Sequence, residues 1–127
     1  MRTIKASFIL TSDKVSMDFL AEQIGIYPYV ICSTFPENSI AKPYWYVEVV
    51  ADSNCLEEPL YSLRSIIWPH QEQIVEMCSN YGIKPSVLII VDSDYKDRPE
   101  LTISPEIMKL LVHFNAELSL EIINNWE

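Results

Sequence analysis

Glycine is nearly missing from this sequence: of 127 residues, only Gly25 and Gly82 are glycine. Loops that wrap a phosphate, or lift a nucleophile on a tight turn, need several glycines at fixed spacing. The G-x-x-x-x-G-K, G-x-G-x-x-G and G-x-S-x-G patterns are therefore all absent. Histidine is as scarce, with only His70 and His113. A catalytic imidazole needs a nucleophile or carboxylate within hydrogen-bond reach, and no spacing marks such a partner for either. His70 is expected to be exposed, and His113 to sit beside the core position Phe114.

Cys32, Cys55 and Cys78 are odd in number, far apart and without a C-x-x-C pair. They read as reduced thiols, with Cys78 in a helix core, rather than a disulfide framework or zinc site. No apolar run approaches the roughly 20 residues that cross a bilayer. The stretch Ser7–Leu10 is too short for an export-signal core, so the cytoplasm is the expected location. Basic residues are outnumbered, 9 against 18 acidic, for a net charge of −9. Without a Lys/Arg cluster there is little to displace counterions from phosphates, which disfavours nucleic acid and anionic membranes. A basic protein partner suits the charge, although acidity that only maintains solubility is the plainer reading.

What is present is a globular balance, 49% hydrophobic and 21% charged, with no linker or low-complexity break. One domain over 1–127 is expected. Residues 2–11 alternate as a strand with Ile4, Ala6, Phe8 and Leu10 on one face. Ser16 caps a helix through Phe19, Leu20, Gln23 and Ile24, and Gly25 closes it left-handed. The β-rich run 26–34 contains Pro28 and reads as an edge strand. Tyr44–Ala51 is the clearest strand, Trp45, Val47 and Val49 alternating with Tyr46, Glu48 and Val50. Asn54 and Glu57 have capping-box spacing before the stripe Leu56, Leu60, Leu63 and Ile67. Trp68-Pro69 must break that helix; it resumes with Ile74, Val75, Cys78 and Tyr81 inward and ends at Gly82. Ser86–Val91 is a covered central strand. After the charged loop Asp92–Thr102, Ser104-Pro105-Glu106 opens a helix with Ile107, Leu110, Leu111 and Phe114 buried. Leu118, Leu120 and Ile122 alternate as the last strand.

The predicted order is β-α-β-β-α-β-α-β, an α+β fold in two layers. A mainly antiparallel sheet carries the helices on one face, as in ferredoxin-like architectures. Ser7–Ile31 and Ser86–Ile123 run through the same order of signals, which suits two βαβ-like halves. Asp92, Asp94, Asp97 and Glu100 crowd one loop. The glycine of a calcium loop is missing and Lys96 and Arg98 intrude, so a solvated loop is expected. Glu57 and Glu58 point in different directions on a helix and serve its first turn rather than acid–base chemistry. No catalytic, cofactor or metal residues are assigned. Tyr27, Tyr29, Phe35, Tyr44, Tyr46, Tyr61 and Tyr95 exceed what one small core must bury, and tyrosine favours protein contacts. Tyr27, Tyr44 and Tyr61 are expected to be half-buried packing residues.

The order of signals resembles the bacterial family called domain of unknown function 4279 over nearly the whole chain. The matching pieces are Gly25-Ile26-Tyr27-Pro28, the strand at Trp45, the helix broken near Pro69, and Tyr81-Gly82 before a strand. Leu101-Thr102-Ile103-Ser104-Pro105-Glu106 and Phe114-Asn115-Ala116-Glu117-Leu118-Ser119-Leu120-Glu121-Ile122 complete them. The chain departs from the family's pattern between Tyr29 and Lys42, and at Ile123-Asn124-Asn125. The resemblance implies an immunity protein that binds and blocks a bacterial toxin domain, a basic nuclease being the expected partner. Contact residues are then expected at Glu37, Glu48, Asp92, Asp94, Tyr95 and Asp97. Two other readings are a non-catalytic small-molecule sensor with a pocket near Trp68, and a module that dimerises weakly. The latter would pair near Pro28 or through the C-terminal strand.

Overall fold

Alternation along the strands decides which side of the sheet becomes the core. A computed structural model describes residues 3–27, 44–53, 55–94 and 100–125. Its elements are β1 (Thr3–Thr11), α1 (Met17–Ile24), β2 (Tyr44–Ala51) and α2 (Glu57–Ile67). A single 3-10 turn, Trp68–His70, leads into α3 (Gln71–Tyr81), followed by β3 (Ser86–Asp94), α4 (Pro105–Phe114) and β4 (Glu117–Asn125). The sheet order is β2-β1-β3-β4. β1 is antiparallel to both β2 and β3, while β3 and β4 are parallel. This is the expected two-layer α+β fold with a mainly antiparallel sheet. The expected strand 26–34 falls largely on residues 28–43, outside the described residues.

Ile4, Ala6, Phe8 and Leu10 of β1 face the helices, with Trp45 and Val47 of β2 and Val87, Ile89 and Val91 of β3. All are buried, and period-two alternation sends their neighbours to the other, open face. Trp45 anchors the layer. Its indole meets the Phe8 ring edge-on at 6.2 Å, and its Nε1–H donates to the Ile26 carbonyl at 2.8 Å. Phe114 of α4 packs against the same Phe8 ring at 5.2 Å.

The helix ends follow local chemistry. Ser16 Oγ accepts the Phe19 N–H, and Gly25 closes α1 at φ +88°. Ser104 Oγ caps α4 by accepting the Ile107 N–H and lies 2.9 Å from the Tyr61 hydroxyl of α2. Ser104→Ala removes both contacts, and thermal unfolding should show a loss of about 1 kcal/mol. Pro69 breaks the long helix where expected. His70 is half-buried there rather than exposed, its Nδ1–H donating to the Ile24 carbonyl at 2.9 Å. That bond pins the break to the last turn of α1.

Four further expectations are corrected. Val75 is exposed, and Ile74 and Met77 form the buried stripe of α3; at 100° per residue, Val75 lies one step off that stripe. Leu56, with no side-chain cap bond, holds the N-cap position of α2, and Asn54 lies outside the described residues. Tyr27 is 70% exposed. β3 runs past Val91 to Asp94, because the ladder with β4 continues to Asp94 opposite Asn125 and satisfies the backbone of this polar end. Tyr61 is half-buried, as expected.

Candidate functional site

Because the described helices cover one side of the sheet, the other side presents alternate residues of β1, β2 and β3 as a face left open among the described residues. Ser7 sits opposite Glu48 on one side and Leu88 on the other; Lys5 sits between Val50 and Ile90; Thr3 is opposite Asp92. A polar strip thus crosses an otherwise apolar patch made by Ile9, Val50, Leu88 and Ile90. Lys5, Tyr46 and Asp92 each already take part in an interaction of their own.

Glu48 differs from them. Ser7, only 7% exposed, donates its hydroxyl to Glu48 Oε1 at 3.2 Å. The second carboxylate oxygen, Oε2, is fully buried and has no hydrogen-bond partner among the described residues. A buried acceptor left without a donor costs about 1–3 kcal/mol, more when charged. Such a group in a folded protein calls for a reason, and an incoming donor supplies one. Glu48 is thus a charged group set among apolar neighbours, and its Oε2 meets a donor only where the side chain turns outward.

Of the residues assigned to contacts from sequence, the structure places Glu48 and Asp92 on this one open face. Asp94 is the last residue of β3, while Glu37, Tyr95 and Asp97 lie outside the described residues. Glu48 and Asp92 are two strands apart across the sheet and four residues apart along it. Their backbones stand roughly 16 Å apart, too far for two carboxylates to work on one bond. Both histidines lie in the helical layer: His70 is bonded to the end of α1, and the His113 ring stacks 4.9 Å from Trp68. The sheet separates them from Ser7, so no serine–histidine pair forms on the open face. Among the described residues no group of three His, Cys, Asp or Glu could hold a metal ion.

Ser7 and Lys5 were missed as site residues. Their outward positions follow from the alternation in β1, but the pairing of Ser7 with Glu48 depends on a register between strands 41 residues apart.

The sensor reading called for a pocket near Trp68. Arg64 lies 4.9 Å over that indole, and His113 and Phe114 close against it. Beside it, two adjoining grooves of about 500 and 440 Å³ run between α3 and the α4–β4 turn, sharing Val75, Ser79 and His113. Both are open to solvent rather than deep. Cys78 borders the second groove, and burial pushes its thiol from 9.0 up to about 11. At pH 8 Cys78 should alkylate about a hundredfold more slowly than in the unfolded chain, read by mass spectrometry.

The fold defines the class as a two-layer α+β domain. The chain belongs to the family described as Domain of unknown function (DUF4279), whose model matches residues 2–125. No curated protein and no solved structure matches it. Among the described residues, no helix is long and apolar enough to cross a membrane.

Proposed function

We propose that this chain is a protein-binding domain without catalysis of its own, an immunity protein that neutralises a basic bacterial toxin domain in the cytoplasm. The buried, unpartnered Oε2 of Glu48 on the open sheet face carries this reading. An arginine or lysine of a partner supplies the missing donor, and the apolar residues around Glu48 give the desolvated surround in which such a contact is strongest. Asp92 adds a second acid to the same face, and Glu37, Asp94, Tyr95 and Asp97 are proposed contacts on the sequence alone. The charge of −9 steers a basic partner toward it. A nuclease is the toxin class with a suitably basic cleft; nucleic acid itself and membranes are disfavoured by the same charge.

The test is co-expression with the product of the adjacent gene. A stable complex that protects cells from that product supports the proposal. No complex and no protection overturn it.

A further inference from the structure

Edge strands expose a row of backbone donors and acceptors, and proteins usually blunt them with charge, proline or a covering element. Among the described residues β4 is an edge of the sheet and has none of these along its inner side. Leu118, Leu120 and Ile122 pair in register with Val87, Ile89 and Val91 of β3. Those β3 residues are at most 1% exposed, whereas Leu118, Leu120 and Ile122 are 37%, 47% and 48% exposed. The helical layer stops short: α2 packs on β1 and β2, and α4 places Phe114 on Phe8 of β1. β4 therefore lies beyond the cover.

The flank of α4 on that side is apolar as well. His113 stacks on Trp68 and so marks the flank facing α2 and α3. At 100° per residue Met108 falls on the opposite flank and Val112 between that flank and the outward face, and they are 50% and 79% exposed. An exposed strand and an exposed helix flank thus form one apolar end of the two layers, the kind of patch that marks an interface.

We propose that this end is where a second copy of the same chain docks, β4 pairing antiparallel with its counterpart about a two-fold axis at Leu120. The strand is complementary to itself in that register. Leu118 meets Ile122 of the other copy and Leu120 meets its own equivalent. On the reverse face Glu121 meets Ser119 and Glu117 meets Ile123, so no glutamate faces another directly. Glu117 is also paired with Lys84 at 2.9 Å. Two chains of charge −9 repel over most of their surface, and this end presents mainly apolar side chains where they can meet. The α4 helices then approach across the axis and cover the leucines. The open face with Glu48 stays free in each copy, so this docking does not depend on the proposed toxin partner.

Light scattering after gel filtration should give twice the 14.7 kDa chain mass at micromolar concentration. Leu120→Lys should halve the mass while circular dichroism and melting stay near wild type, since Leu120 is half-exposed in the single chain. A cysteine test reads the register independently of that variant. Leu120→Cys should cross-link to itself on oxidation, because opposed residues in antiparallel strands lie within disulfide reach. Ser119→Cys should not, being two residues out of register with its equivalent and about 8 Å from it. A wild-type monomer would overturn the proposal, as would a dimer that survives Leu120→Lys or a cross-link through Ser119→Cys alone. A chain that stays monomeric and pairs only with the adjacent gene's product would equally overturn it, without touching the reading of Glu48.

Discussion

Trp45→Ala should cost the domain about 4 kcal/mol, read as a fall in the urea midpoint. The indole is fully buried, and its removal leaves a cavity bounded by the Phe8 edge and the aliphatic core. The site can collapse little, because β2 is held in register against β1 along its whole length, from Tyr44 to Ala51. The Ile26 carbonyl also loses the Trp45 Nε1–H, and being covered it adds to the cost. Domains of this size are stable by about 5–15 kcal/mol, so the variant should lose at least about a quarter of its stability. Trp45→Phe keeps a ring against Phe8 but drops the N–H, and should cost about half as much. A near-neutral Trp45→Ala would mean that β2 is not seated on the core as described.

Glu48→Gln should act in opposite directions on stability and binding. Removing the charge lowers the cost of its burial and the amide oxygen can still accept from Ser7, but the amide N–H groups that replace Oε2 find no acceptor among the described residues. A gain of no more than about 1 kcal/mol in the unfolding free energy of the free chain is expected. Affinity for a basic partner should fall at least tenfold, because a charge-assisted contact worth about 1.5–3 kcal/mol becomes a neutral one. A stabilising change that weakens binding is what a residue kept for function shows. If Glu48→Gln destabilised the free chain and left binding unchanged, Glu48 would be a structural acceptor for Ser7 and nothing more.

Much of the fold could be read locally. Ser16, Ser104, Gly25 and Gly82 mark helix ends through contacts within one turn, and Pro69 breaks a helix wherever it stands. The alternation through Trp45, Val47 and Val49 sorts inner from outer residues of β2 and puts Glu48 on the side away from the core. What escaped depends on distant partners. The Ser7–Glu48 bond joins residues 41 apart. The extension of β3 to Asp94 comes from its ladder with β4, which overrides the polar composition of Asp92-Ser93-Asp94. Val75 was placed inward by its apolar side chain although its angular position is off the stripe. Asn115, left-handed at φ 52°, ends α4 and passed unnoticed because asparagine is a weaker mark than glycine. The exposure of Leu118, Leu120 and Ile122 was hidden for the same reason. Their alternation is that of a half-buried strand, and only the sheet order shows that the helices do not reach them.

The most direct test of the open sheet face as the proposed binding surface is amide chemical-shift mapping of the labelled chain, titrated with the product of the adjacent gene. The largest changes should fall on Lys5, Ser7, Glu48, Leu88 and Ile90, and Glu48→Gln should abolish them at the same partner concentration. Changes confined to the groove at Val75, Ser79 and His113, with the open face silent, would contradict it.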